Sequence, residues 1–419
     1  MIKRIKKSFG NYPNPFKILI LSTFIDRLGG FLLYPFFALY ITAKFNVGMT
    51  EVGFLFSIFS FGNILGGIIG GALSDKYGRR MILLIGLISS GLGSIFMGIV
   101  DDLVLFFFIA SFLGIFGNLG APARQAMVVD LLPEEKQAGG FGILRVSVNL
   151  SATIGPILGG LLANQSYMFL FISDAASSLI TALIVFLVIP ETKPKSLDHQ
   201  IDDSVIKTIK GYKEVFKDYI FMLFLLVSII MVLVYLQLNS TLSVFLRDEH
   251  GFSEQNFGFL LATNAAMVVI LQIPIAKWIS KYKPMIMMAI GTLFYMIGFG
   301  MYGFIAEVYL FFIAMIILTI GEIIVSPISQ AAVGHLSPID KRGRYMAMFG
   351  FSWAIPSTFG VILAGLVMDN IGPNWVWYFA GILSLISIIG FLLLHKPIEK
   401  RYLEIKSKKE KKIEIQTMN

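Results

Sequence analysis

Cysteine is absent from all 419 residues, and only four histidines are present. No disulfide framework or thiolate metal site can therefore form, and a zinc cluster would have too few nitrogen ligands. Charge is scarce too, since Asp, Glu, Lys and Arg together make up 14% of the chain. A soluble domain needs about a quarter of its residues charged to cover its core, so an aqueous surface is excluded for most of this chain. No glycine-rich phosphate loop ending in Lys-Ser or Lys-Thr occurs, which removes a nucleotide-driven motor. No cofactor or metal is expected. A net charge of +8 has its explanation in membrane topology, given below, and implies no nucleic acid.

What is present in excess is apolar sequence. Hydrophobic residues make up 56% of the chain and the mean hydropathy is +0.78. A helix crosses the hydrocarbon layer with about 20 apolar residues, and runs of that length follow one another. Six lie before residue 191, near 16–42, 51–73, 81–100, 103–130, 138–163 and 167–190. Six more lie near 219–246, 254–279, 284–303, 307–334, 343–369 and 374–394, after a polar, Lys-rich stretch. The expected fold is an all-α integral membrane protein of twelve transmembrane helices. Its domains are a first half at 1–190, a cytoplasmic linker at 191–218, a second half at 219–395 and a basic tail at 396–419. The basic start (Lys3, Arg4, Lys6, Lys7) leads into a run too long for a cleavable signal, so the first span is expected to persist.

Positive residues are retained on the cytoplasmic side of a membrane. With the N-terminus inside, about 29 of the 34 Lys and Arg fall in the tails, the inner loops or the span ends that border them, while Lys44 and Arg247 alone fall outside. Both termini are therefore expected in the cytoplasm, with the tail resting on lipid headgroups. The halves also align on each other at an offset of 205 residues, the distance from Gly53 to Gly258. In that register Phe54 meets Phe259, Lys76-Tyr77 meets Lys281-Tyr282, Pro122 meets Pro327, Gln125 meets Gln330 and Gly160 meets Gly365. Parallel repeats of this kind enclose a mid-membrane site and rock about it in alternating access.

Between the second and third spans runs Gly71-Ala72-Leu73-Ser74-Asp75-Lys76-Tyr77-Gly78-Arg79-Arg80. The glycines suit a tight turn. Asp75 is placed to accept backbone N–H groups at a neighbouring helix N-terminus, and Arg79 and Arg80 can pair with carboxylates or lipid phosphates. The fifth span carries Gly142, Gly155, Pro156, Gly159 and Gly160, which give a bend and a smooth face for close packing.

The decapeptide resembles the signature loop of the major facilitator superfamily, Gly-x-Leu-x-Asp-basic-x-Gly-basic-basic, at every position. That resemblance implies a latch that holds the outward-open state, with Asp130 as its acidic partner at the inner end of the fourth span. The second half has Ser280 where the acid would stand, so the latch is expected to be asymmetric. The fifth span is similar to the signature of the drug:proton antiporter branch, with Ser151 in place of one glycine. The resemblance implies export, in a prokaryotic inner membrane, of amphipathic or cationic compounds in exchange for protons. Uptake of a small organic solute and lipid export by the same fold are the alternatives. The expected partners are a small-molecule substrate, protons and membrane lipids, and the expected state is a monomer. An enzyme would need convergent catalytic groups, and none is visible.

Charges inside a membrane ask for a partner or a purpose. Asp26 and Arg27 lie in the first span, Arg124 in the fourth, Arg145 in the fifth and Glu322 in the tenth. Glu322 shares a stripe with Thr319, Ser326 and Ser329, so it is expected to face water or substrate and to carry a proton; a structural acid bonded to a helix break is the other reading. Asp26 is either a second proton site or the mate of Arg124 or Arg145. Arg145 can otherwise reach the cytoplasmic surface. Asp174, in the sixth span, reads as closer to the outer surface. Tyr34, Asn63, Asn118, Gln125, Asn149, Tyr235, Asn239 and Asn264 are candidates for a cavity lining, and interhelical hydrogen bonds explain many of them equally well.

Overall fold

The computed structural model describes residues 12–193, 215–338 and 341–418, and among them every regular element is a helix. The basic start from Lys3 to Lys7 and most of the linker lie outside the described residues, as do the side chains of the tail beyond Leu403. The order is α1 Asn14–Leu33, α2 Phe37–Phe45, α3 Met49–Tyr77, α4 Arg79–Ile99, α5 Leu103–Gly117, α6 Gly120–Leu131, α7 Glu134–Ala163 and α8 Tyr167–Val188. It continues with α9 Tyr219–Tyr235, α10 Thr241–His250, α11 Glu254–Ile279, α12 Pro284–Tyr302, α13 Val308–Leu336, α14 Arg342–Phe349, α15 Phe351–Ile355, α16 Val361–Asn370 and α17 Pro373–Met418.

Among the described residues eleven stretches are long and apolar enough to cross a membrane. The twelfth is the first span, where α1 passes through a 3-10 turn at Tyr34–Phe36 into α2. Lys17, Asp26 and Arg27 depress its apolar character. Helix starts follow local chemistry. Asp102 and Asp218 each accept a backbone N–H two or three residues into the following helix, from Leu105 at 2.7 Å and from Phe221 at 3.2 Å. Helix breaks fall where the chain has proline or a weak helix former: the turn at Tyr34-Pro35-Phe36, the α5–α6 interruption at Asn118, and a single π-helical turn at Pro356–Gly360.

Large apolar side chains point outward in a way water would not tolerate, as with Phe108 and Ile68, each 69% exposed. Lipid is the solvent that fits such a surface. The chain divides into two compact units, Met1–His199 with Asn239–Ala262, and Gln200–Leu238 with Thr263–Asn419. In the first, α1 packs against α7 and α8, α4 against α8, and α3 against α5. One buried cluster joins Phe16, Leu19, Leu83, Met127, Val128 and Val185. The face of α3 that carries Gly62, Gly66 and Gly70 lies directly on the backbone of α5 and α6, where any side chain would run into Gly114, Ile115 or Leu119. In the second unit α12 packs on α13 and α17, and α9 on α17, around the fully buried Trp377 and Tyr302, whose rings are 5.3 Å apart.

Candidate functional site

The loop between α3 and α4 turns on Gly78, whose φ of 111° suits glycine alone. A side chain there would also strike the carboxylate of Glu191. Glu191 Oε1 accepts the backbone N–H of Arg79 at 2.7 Å, and Oε2 accepts that of Arg80 at 3.1 Å. The anion at the N-terminus of α4 is thus Glu191. Asp75 pairs with Arg79 across the turn at Gly78. Arg79 Nε also lies 3.5 Å from Asp130 Oδ2, so the expected acid stands beside the loop. Thr192 Oγ1 donates to Asp130 at 3.1 Å, and Lys193 Nζ donates to the carbonyl of Lys76 at 2.9 Å. Arg80 donates to the carbonyl of Phe186. Gly71 sits one turn before Asp75, with its α-carbon side toward Pro122.

Within the first unit α1, α3, α4, α5, α6 and α8 surround a cavity of ≈ 420 Å³. Asp26, Arg27, Arg124 and Asp174 all line it, as do Tyr34, Asn63 and Asn118. Arg124 Nη2 donates to Asp26 Oδ2 at 2.7 Å, and Ser178 Oγ donates to Oδ1 at 3.2 Å. Both charged side chains are nearly buried, at 9% and 13% exposed. Of the two mates the sequence allowed for Asp26, the structure supplies Arg124. Arg145 is exposed on α7 and lines neither of the two cavities described here. Arg27 is exposed to the cavity and makes no hydrogen bond among the described residues. It shares its electrostatic surroundings with Asp26, Arg124 and Asp174. Sequence depth alone had set Asp174 apart from these groups. Gly29 lets α8 approach α1, where a side chain would meet the backbone of Asp174 at 2.9 Å.

The α7 glycines have separate uses. A side chain at Gly155 would collide with Phe31, at 2.6 Å, and one at Gly159 with Leu32 and Phe36, so both seat α7 on the first span. Gly160 faces Gly258 instead, and Gly142 faces open space. Pro156 lies inside the helix. Ser151, which replaces a glycine of the antiporter signature, donates to the carbonyls of Phe24 and Ser147 at 3.0 and 3.1 Å. Elsewhere in the same unit, Arg247 on α10 donates to the carbonyl of Leu39 at 3.1 Å and to Thr42 Oγ1 at 3.0 Å, both on α2. Tyr167 OH donates to Glu254 at 2.7 Å.

In the second unit the carboxylate of Glu322, part-way along α13, takes two neutral donors. Tyr235 OH donates at 3.0 Å and Asn264 Nδ2 at 2.7 Å, and the same amide donates to Thr319 Oγ1 at 3.0 Å. A small cavity of ≈ 70 Å³ opens beside it, lined also by Ser326, Ser329 and Gln330. No group of three or more His, Asp or Glu able to hold a metal occurs among the described residues.

The family model described as the Major Facilitator Superfamily matches residues 19–257 and 229–417. The chain belongs to the major facilitator superfamily. It is a multi-pass membrane transporter and not an enzyme. Among relatives within that superfamily it is 23% identical over 415 residues to the "Na(+), Li(+), K(+)/H(+) antiporter" of Planococcus maritimus, covering 92% of this chain and 96% of that one. It is 24% identical over 397 residues to "Multidrug resistance protein MdtH" of Salmonella paratyphi B, with the same coverage of 92% and 96%. Solved structures of the same fold include the nucleoside transporter NupG, with a TM-score of 0.76 at 13% identity over 91% of this chain and 99% of that one. A peptide transporter POT in complex with sulfate has a TM-score of 0.77 at 15% identity over 94% and 96%.

Proposed function

We propose that this transporter is a proton-coupled antiporter of the prokaryotic cell membrane that exports small amphipathic compounds by alternating access, as a monomer with both termini in the cytoplasm. One observation carries the reading. Glu322 sits mid-span with only neutral hydrogen-bond donors among the described residues, Tyr235 and Asn264. An intramembrane acid with no cation beside it can lose its charge only by taking a proton, and an acid that changes charge with each turnover is what proton coupling requires. Asp26 has the opposite setting, a bonded Arg124, and serves here as a fixed charge that orients the cavity wall. The loop from Gly71 to Arg80, with Asp130 and Glu191, acts as the conformational latch, and the α7 motif seats the moving helices. The halves at 1–190 and 219–395 are the rocking bodies, joined by the linker at 191–218 and followed by the tail at 396–419.

The reading is tested in cells that express the chain and are loaded with a fluorescent amphipath. Export that stops when a protonophore is added supports it. Export that continues unchanged after the proton gradient collapses overturns it.

A second reading is favoured by the pocket beside Glu322. A carboxylate with the hydroxyls of Ser326 and Ser329 around ≈ 70 Å³ also suits a small alkali cation, and the Planococcus maritimus relative bears the name of an alkali cation antiporter. Proton release driven by added Na+ or K+ with no organic substrate would select this reading.

A further inference from the structure

We infer that the cavity of the first unit holds a carboxylate-binding subsite at Arg27, so that the transported compound carries an anionic head on an aromatic or aliphatic body; this deepens the export reading above and rests on it.

The inference starts from how the four charges in this cavity are committed. Arg124 is paired with Asp26 through Nη2 at 2.7 Å and that carboxylate is completed by Ser178 at 3.2 Å, so Asp26 is committed, while Nη1 of Arg124 is buried without a hydrogen-bond partner among the described residues and can add a donor to a ligand held at Arg27 without breaking the pair. Asp174 is only 9% exposed. Arg27 alone among the four is exposed to the cavity, and among the described residues nothing accepts from its five N–H donors. A guanidinium is a planar fork that matches a carboxylate bidentately, and it keeps its charge at any working pH. A guanidinium inside the membrane with no hydrogen-bond acceptor among the described residues is costly enough to mark a ligand position, even with Asp26 and Asp174 in its surroundings. The walls fix the rest of the ligand. Phe31, Phe37, Phe56 and Phe59 line the same space, and its ≈ 420 Å³ lies within the usual range for small-molecule sites. An amphipathic monocarboxylate satisfies both features: the head meets Arg27 and the body lies against the phenylalanines. A lipophilic cation would place its charge beside Arg27.

The test uses the full chain in lipid nanodiscs and three probes that share one aromatic body: 2-naphthoate, 2-naphthylmethanol and 2-naphthylmethylamine. Calorimetric titration should give naphthoate a Kd at least about tenfold below those of the other two. Arg27→Gln should weaken naphthoate at least tenfold and leave the alcohol unchanged. Arg27→Lys keeps a cation and so guards against a folding failure of the Gln variant; it should weaken naphthoate about three- to tenfold, because an ammonium lacks the fork. Equal or tighter binding of the amine, or naphthoate binding that neither variant alters, overturns the subsite. The two readings fail separately. Naphthoate that binds through Arg27 but never crosses a liposome membrane supports the subsite and sinks export. Proton-driven movement of the amine with no Arg27-dependent naphthoate binding overturns the subsite and leaves export standing.

Discussion

Asp26→Asn removes a charge but hardly any volume, and it keeps an oxygen for the Ser178 hydroxyl that donates at 3.2 Å. What it breaks is the pair with Arg124, whose Nη2 lies 2.7 Å from Asp26 Oδ2 with both side chains no more than 13% exposed. Two unit charges about 4 Å apart interact by roughly 4 kcal/mol at an effective dielectric constant near 20. Removal of one partner of a buried pair costs about 3–5 kcal/mol, because the other is left charged and uncompensated. Arg124→Gln should cost as much. The double variant leaves two neutral amides in the same space and should recover most of that loss, giving a coupling of about 2–4 kcal/mol in a double-mutant cycle. The assay is unfolding of the purified chain in detergent, by a denaturant titration on all four proteins, with a binding check on the folded fraction. Single losses that simply add to within about 0.5 kcal/mol would refute the pair as an energetic unit. An unchanged Asp26→Asn variant would do the same.

Gly78→Ala forces a side chain into a left-handed backbone and into the Glu191 carboxylate, so it should cost about 1–3 kcal/mol and slow transport at constant expression; wild-type rates would show that the turn has no latch function. Arg247→Ala removes the bonds to Leu39 and Thr42 and should raise hydrogen exchange in residues 37–45, with a loss of about 1–2 kcal/mol; unchanged exchange there would contradict the clasp. Asp218 is pushed up by burial, but hydrogen bonds from Arg401 and Tyr345, each at 2.5 Å, outweigh this and hold its carboxyl below the ordinary range. A depressed carboxyl adds stability above its unfolded pKa and loses it as the pH falls through the folded one. Asp218→Asn should therefore lower stability at neutral pH, with the gap starting to close near pH 4 and closing fully only below the depressed folded pKa; a gap that persists in stronger acid would assign the loss to packing.

The spans and the family were legible because each depends on residue type along the chain: apolar length, and glycine with charge at set spacings between α3 and α4. Partner choice was less so. Asp26 had two possible mates, and the one it takes is set by how α6 crosses α1. Asp174 reads from the sequence as nearer the outer surface; its place on one cavity with Asp26 follows from Gly29, which lets α8 lie against α1. Glu191 looked like the first residue of a polar linker. Its role at the α4 N-terminus depends on where α8 ends in space, which no local pattern records. Arg247 is one of two basic residues expected outside, so the exception to the charge rule was itself a signal that a specific bond holds it.

The central claim is proton exchange through Glu322. Purified chain in liposomes with an internal pH dye, given an outward substrate gradient and no pH gradient, tests it with the naphthyl compounds and a lipophilic cation as the panel. The account predicts that substrate leaving drives protons in, and that Glu322→Gln abolishes the proton signal while the protein stays folded. Substrate movement without a proton signal, or a Glu322→Gln variant with wild-type proton flux, would contradict it.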